Sequence, residues 1–523
     1  MTPVIFEDDH FIAAVKPEGI PTHATEKGQT AFAESLGSEL GIKLGIHQRL
    51  DKDTSGILVF SKTPQGAKRL SAAFELRNVK KIYRAIVCGI PEQTSGEWCH
   101  RLIHRDGLTS ENPDGKLCKS RYRVIKTFGP FALLDLELLT GMTHQLRVQC
   151  ALAGIPILGD RLYGGGELAS RLWLHAHKLR LLSEPNLPTF EAPLPDLLNR
   201  PTLEAITRPI LNNAFLPCRT LPNAEAIRLA VPQHSGIPEL ILEKVADTLL
   251  VRHLEPNARS AWTEASLRKL MELAMAAFQC RQVCYRVHEA PSQTHACRPF
   301  AKAFQDVPEP LIAIEHGISY RFDLGGNATG LYLDQRENRA WVMAHAHGSV
   351  LNLFAYTCAF SICSAKNPDV TATTSIDAAP ASLRRGQDNF TLNGLSTDGH
   401  RFIHEDVLKF LAKCAQNGTR FDTVICDPPS FGRCGKNVFS LDSELENLMD
   451  ACIRVASDHA SFLFSVNHRK IRLSRLKSAF KQALANHKKT ASDVEAFIND
   501  DALGPLGVGT DLKTIRATIL SKS

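Results

Sequence analysis

Short apolar runs bounded by turn-forming residues dominate the first 200 positions of the chain. Ile57–Phe60, Ile82–Val87, Phe131–Leu136 and Leu172–His175 have the length and composition of strands, and few stretches carry helical spacing. This pattern predicts a mostly antiparallel sheet with a few helices. Around Arg200 to Pro222 prolines accumulate and the period is lost, which marks a boundary. Beyond it, Glu239–Arg252 reads as strand on both sides of Val245-Ala246-Asp247, and Glu264–Gln279 as an amphipathic helix. The segment from Ala290 to Pro310 holds four prolines and reads as a connector. From about Val350 the pattern changes again. Strands at Val350–Tyr356, Thr373–Ile376, Phe402–His404, Thr423–Cys426 and Ser461–Ser465 alternate with helices at Ala381–Asn393, Val407–Ala415 and Leu441–Ser457. Alternation of this kind predicts a doubly wound parallel sheet.

Composition narrows the class. A chain of 523 residues with 44% hydrophobic and 22% charged residues is long enough for several domains and has the profile of a globular protein. No apolar run approaches a membrane span, and Met1–Glu7 lacks the features of a signal peptide, so the expected compartment is the cytoplasm. The 14 cysteines are scattered without a CxxC pair and read as reduced, mostly buried thiols. A net charge of +6 permits nucleic-acid binding without requiring it. The pairs His345/His347 and His175/His177 have no further ligands at a recognisable spacing, so no metal is expected.

The segment His47-Gln48-Arg49-Leu50-Asp51-Lys52-Asp53-Thr54-Ser55-Gly56 packs two carboxylates, an arginine and a turn just before an apolar strand. Alone it reads as a polar turn. In order after it come Lys81-Ile82-Tyr83, Gly141-Met142-Thr143-His144-Gln145-Leu146-Arg147-Val148 and Gly159-Asp160-Arg161-Leu162-Tyr163-Gly164, with Val15-Lys16-Pro17-Glu18-Gly19 upstream. Together these resemble the RluA family of pseudouridine synthases over nearly all of residues 4–196. The resemblance implies an α+β domain with a central antiparallel sheet that isomerises uridine in RNA without a cofactor. It implies Asp51 as the essential carboxylate and leaves open whether it attacks the sugar, attacks the ring or removes a sugar proton. Arg147 would pair with Asp51, Tyr83 would stack on the uracil, and Arg49 would fill the space the flipped base leaves. His144 is expected to be structural. Met142 departs from the family, which usually has Arg or Lys there.

In the last 200 residues, Leu351-Asn352-Leu353-Phe354-Ala355-Tyr356-Thr357 is a strand and small turn before a helix. Asp377 and Asp406 close the next two strands, and Asp427-Pro428-Pro429-Ser430-Phe431 closes the fourth. In a doubly wound sheet, ligands bind at these strand ends. The order resembles class I S-adenosylmethionine-dependent methyltransferases with a Rossmann-like α/β domain. More narrowly, Thr329-Gly330-Leu331-Tyr332-Leu333-Asp334-Gln335-Arg336 and Phe464-Ser465-Val466-Asn467-His468-Arg469 are similar to the large-subunit rRNA methyltransferases of the RlmK and RlmI type. The resemblance implies S-adenosyl-L-methionine held by Asn352, Phe354, Tyr356, Thr357, Asp377, Asp406, Asp427 and Pro428. It implies catalysis at Asp427 and a target base held by Pro429, Phe431, Asn467, Asp334 and Arg336. Cytosine-carbon-5 enzymes of this type carry a cysteine after the fifth strand; here Ser465-Val466-Asn467-His468 has none, which favours guanine N7. Cys358 stands where the family usually has Gly, and it would hinder the cofactor's approach if that position needs a positive φ.

The reading is therefore a fusion: residues 1–205 a pseudouridine synthase, 206–320 a linker and small α+β domain, and 321–523 a methyltransferase. The expected partner is 23S rRNA. Rival readings are a tRNA target for the first half, and a second half that only binds RNA or methylates cytosine carbon 5.

Overall fold

The computed structural model describes residues 4–24, 29–215, 225–254, 261–288, 310–323, 329–434, 437–468, 470–498 and 512–521. The connector expected at Ala290–Pro310 lies, apart from Pro310, outside the described residues.

The N-terminal part is built on an 11-stranded sheet whose spine runs Val4–Glu7, Phe11–Lys16, Ser55–Ser61, Leu174–Leu181, Val79–Cys88, Phe131–Leu138, Lys116–Phe128, Ser95–Arg105, Leu108–Glu111. All spine pairings are antiparallel except Leu174–Leu181 on Ser55–Ser61. That parallel contact explains Gly56: its φ is +120°, and a Cβ there would lie 2.5 Å from the backbone nitrogen of Ala176. Ser55–Ser61 is buried at every position, as a continuous apolar run in a central strand requires.

Within the stretch expected to lose its period, Arg200–Pro222, residues Leu203–Phe215 form a helix that tolerates Pro209 in its interior, and residues 216–222 lie outside the described residues. Tertiary packing overrides the weak local signal: Ile206, Ile210 and Leu211 share one core with Ile86 and Phe131 of the first sheet and with Leu270 of the helix Glu264–Phe278. That second helix begins with a reciprocal cap between Thr263 and Ser266. It packs on a four-stranded sheet of Ala226–Ala230, Leu240–Val245, Thr248–Leu254 and Gln282–His288.

The C-terminal sheet has seven strands in the order Arg401–His404, Val370–Asp377, Gly348–Leu353, Phe421–Cys426, Ala456–Asn467, Leu512–Ser521, Lys489–Ile498. The first five are parallel and the last two antiparallel. Apolar clusters cover both faces, as a doubly wound sheet demands. Chain order reverses between Gly348–Leu353 and Phe421–Cys426, so a crevice opens at the carboxyl ends of those strands.

Candidate active sites

In the N-terminal part, Asp51 sits in a loop pinned from two directions. Thr22 Oγ1 donates to the carbonyl of Leu50 and accepts its N–H, at 2.9 and 3.0 Å. The fully buried Lys16 reaches through its Nζ to the carbonyls of Lys52, Pro17 and Ile20 at 2.9, 2.7 and 2.7 Å. Burial pushes the Lys16 amine down to about 8, with Asp53 and Asp51 opposing. The loop borders a cavity of about 700 Å³ whose wall includes Arg49, Asp51, Tyr83, His104, Met142, His144 and Arg147.

Within it, Asp51 Oδ2 lies 3.7 Å from Arg147 Nη1 and 3.9 Å from His144 Nε2. The expected Arg147–Asp51 pair is thus a charge contact, not a hydrogen bond. Arg147 gives its fork to Asp160: Nε and Nη2 each donate to one carboxylate oxygen at 2.7 Å. Asp160 is fully buried and its Oδ1 also accepts the N–H groups of Leu162 and Tyr163. A bidentate pair of this kind fixes the guanidinium plane and aims its remaining nitrogen at Asp51.

Tyr83 is 8% exposed, and burial, reinforced by the charge of Asp51, raises its phenol well above the usual value. It therefore stays protonated. His144 has φ +56° at the head of the helix Gln145–Leu152, and its Nδ1 lies 3.0 Å from the Tyr163 hydroxyl. That hydroxyl accepts the Thr109 N–H, so its own proton is available to Nδ1, which leaves the Nε2 proton facing Asp51. Burial holds the imidazole below its ordinary value. Arg49 is exposed, and Met142 places its Sδ 3.9 Å from Cys118 Sγ.

The second cavity, about 480 Å³, opens at the crevice of the C-terminal sheet. Phe354, Tyr356 and Cys358 alternate through the turn with φ of +57°, +46° and +58°. The Tyr356 N–H donates to Asp377 Oδ2 and the Ala379 N–H to Oδ1, both at 2.7 Å, and burial raises this carboxyl. Asp406 caps the helix Val407–Gln416 through the Lys409 N–H. Thr357 Oγ1 donates to the carbonyl of Gly330 at 2.5 Å.

Cys358 does take the positive φ that glycine favours, yet it does not line the cavity. Its buried side chain lies against Gly386 on the helix Pro380–Leu392, where an added Cβ would come within 2.9 Å of Cys358 Cβ. The helix omits a side chain there, which leaves room for the Cys358 side chain away from the cavity. With an acid on each of two strand ends, an open turn and a cavity of this size, the residues present fit a nucleoside-type cofactor.

Asp427, with Pro428 and Pro429, forms the opposite wall. Burial and the charge of Asp334 push its carboxyl up to about 7. Asp427 Oδ1 accepts from Ser465 Oγ at 3.0 Å, and Asn467 Nδ2 donates to Asp334 Oδ2 at 3.2 Å. Three expected ligand residues stand outside the cavity lining. Asn352 is buried under the turn and donates to Ser361 Oγ. Arg336 is buried 3.6 Å from Glu315. Phe431 is 61% exposed because strand alternation on the hairpin Phe431–Cys434/Asn437–Ser440 turns it outward, while Phe439 faces inward with its ring 5.1 Å from that of Phe354.

Residues 10–152 match the RNA pseudouridylate synthase family model, and residues 242–472 match that of the S-adenosylmethionine-dependent methyltransferases. The chain is 36% identical over 204 residues to an uncharacterized RNA pseudouridine synthase of Zymomonas mobilis, covering 37% of this chain and 93% of that protein. The chain belongs to the RNA pseudouridylate synthases. It carries a S-adenosylmethionine-dependent methyltransferase domain behind the synthase. YwbD of Bacillus subtilis, named as a provisional ribosomal RNA large subunit methyltransferase, is 31% identical over 216 residues, covering 41% of this chain and 54% of that protein. A solved SAM-dependent methyltransferase from Agrobacterium tumefaciens aligns over 54% of this chain and 88% of its own with 19% identity and a TM-score of 0.41. The chain spans 54%, 68% and 52% of the length of three curated relatives it matches.

In this synthase–methyltransferase chain, several residues that support the two cavities lie in segments the sequence singles out, but the sequence does not give their partners. Lys16 and Asp160 lie in recognisable segments, but their partners are 36 and 13 positions away. Gln335 and Ser465, which support Asp427, are 130 positions apart.

Proposed function

We propose that the chain is a bifunctional enzyme of the cytosol that isomerises one uridine of 23S rRNA to pseudouridine and methylates a nearby guanine at N7. Among the described residues, no helix is long and apolar enough to cross a membrane. For the first reaction, the observation that carries the reading is the clustering of Asp51, Tyr83 and Arg147 around one cavity. Asp51 acts on the sugar or the ring, Arg147 holds that carboxylate in place, and the protonated Tyr83 packs on the uracil. Arg49, at the exposed rim, occupies the gap left in the RNA stack.

For the second reaction, the supporting observation is the absence of a thiol among the described residues of the cavity wall. Cys426 is fully buried in its strand and Cys358 faces Gly386, while the side chain of Cys434 lies outside the described residues. Adding to carbon 5 of cytosine needs a nucleophile, whereas guanine N7 has a free lone pair and needs only positioning. Bound S-adenosyl-L-methionine supplies an electrophilic methyl group. Asp377 and Asp406 hold ribose and adenine donors, the Phe354–Thr357 turn presents backbone to the cofactor, and Asp427, Pro429 and Asn467 position the base.

The test is mass-spectrometric mapping of pseudouridine and 7-methylguanosine in 23S rRNA from cells carrying the intact gene, Asp51→Ala or Asp427→Ala. Each variant is expected to lose one modification and keep the other. Retention of every methylguanosine in Asp427→Ala cells would overturn the second half of the reading.

A further inference from the structure

Two nitrogens from one helix face the same oxygen of Asp51 in the synthase cavity. Arg147 Nη1 stands 3.7 Å from Oδ2, and His144 Nε2 stands 3.9 Å from it. A shift of the carboxylate by about 1 Å brings either within hydrogen-bond distance, and catalytic hydrogen bonds tighten in this way when substrate binds.

The histidine is prepared for that contact from behind. The Tyr163 hydroxyl accepts the Thr109 N–H at 2.9 Å and lies 3.0 Å from His144 Nδ1. Were Nδ1 the donor, the phenolic proton would have no acceptor among the described residues, so Tyr163 donates and the imidazole proton sits on Nε2. Burial keeps the imidazole neutral near pH 7. Thr109, on the edge strand Leu108–Glu111, also donates through Oγ1 to the carbonyl of Thr143 at 2.8 Å. One residue thus fixes both Tyr163 and the backbone that enters His144. That backbone is strained: His144 has φ +56° and its side chain caps no helix N–H. A side chain other than glycine in this region costs about 1–3 kcal/mol, and such strain persists where the surroundings impose it. Here it aims the ring at Asp51.

We propose that His144 is a positioning residue of the synthase, its tautomer set by Tyr163, which donates from Nε2 to Asp51 Oδ2 and with Arg147 holds that carboxylate toward the nucleoside. This rests on the reading of Asp51 given above. A ring nitrogen that carries the proton has no lone pair to offer, so the arrangement assigns His144 a donor's part and not a base's.

The experiment uses the full chain and an rRNA fragment carrying the mapped uridine, with tritium release from carbon 5 as the assay. In His144→Leu, kcat falls about 10- to 100-fold while KM stays within about twofold, as expected when a catalytic group is misplaced. His144→Gln, whose amide N–H reaches close to the place of Nε2–H but cannot act as a base, recovers most of that loss. Tyr163→Phe keeps the ring beneath Arg147 and removes the hydroxyl. Its kcat falls about 10-fold, and the same change made in His144→Leu lowers it no further, because the hydroxyl acts through the histidine. Wild-type kcat in His144→Leu overturns the inference, and so does a His144→Gln chain as slow as His144→Leu. If His144→Leu does not fold, full activity in Tyr163→Phe overturns it instead. Full activity in Asp51→Ala overturns the reading of Asp51 and this inference with it; loss in Asp51→Ala with none in His144→Leu overturns this inference alone.

Discussion

Cys358 and Gly386 share the space of one side chain. The cysteine occupies a left-handed position in the cofactor turn, and its side chain rests where a Cβ on Gly386 would stand. The two positions are therefore coupled. Gly386→Ala alone is expected to overpack the contact and destabilise the methyltransferase part by about 1–3 kcal/mol. Cys358→Gly together with Gly386→Ala should recover most of that loss, because glycine accepts the positive φ and vacates the space. Urea unfolding of the full chain, with titration of S-adenosyl-L-methionine, checks this; additive effects of the two substitutions would refute the coupling.

Asp160 is the direct partner of Arg147, so removing it strands a buried guanidinium. Asp160→Ala is expected to cost about 3–5 kcal/mol in the synthase part and to abolish pseudouridine formation, with methyl transfer retained. Arg147→Lys keeps the charge and loses the fork, so activity should fall with a smaller stability cost. Parallel unfolding and pseudouridine assays separate the two.

Lys16 donates to three carbonyls around the Asp51 loop. Lys16→Met leaves those acceptors without a donor and loosens the loop. Pseudouridine formation should fall about 10- to 100-fold in kcat with little change in KM, since one misplaced catalytic group costs about that much. A change confined to KM would argue for a contact with RNA instead.

Asp427 links folding to pH. Its carboxyl titrates at about 7 in the folded chain against an ordinary value of 3.8, so the folded state holds the proton more tightly than the unfolded one. The stability it contributes is fully present below about 3.8 and is lost by the time the pH passes about 7. In the wild type the urea midpoint of the methyltransferase part should decline between pH 5 and about 7. Asp427→Asn should remove that slope; an unchanged slope would assign it to another group.

The strand–helix alternation after Val350 was legible because continuous apolar runs mark strands buried on both faces and a helical period marks the helices between them, and the strands at Thr423–Cys426 and Ser461–Ser465 fall within the observed ones. The helix Leu203–Phe215 was not, because Pro209 and a weak period conceal a segment whose order comes from packing on a distant sheet. Tyr83, Asp377 and Asp427 stand within strands or at strand ends and Asp51 in the loop before a strand, where motif and position coincide, and all four line a cavity.

The sites diverge from the sequence where a side chain must choose between partners. Nothing in the order of residues tells Arg147 to grip Asp160 and only approach Asp51, since both acids carry the same charge and the choice depends on which is buried within reach of the fork. Strand parity on a hairpin sends Phe431 outward and Phe439 inward, and the depth of the turn buries Asn352 below it. Local patterns of apolar and turn-forming residues act over a few positions and so set the elements and the chemistry they carry. Pairing between groups more than a hundred positions apart, such as Gln335 with Ser465 beneath Asp427, exists only once the sheets are assembled and the solvent between them is gone.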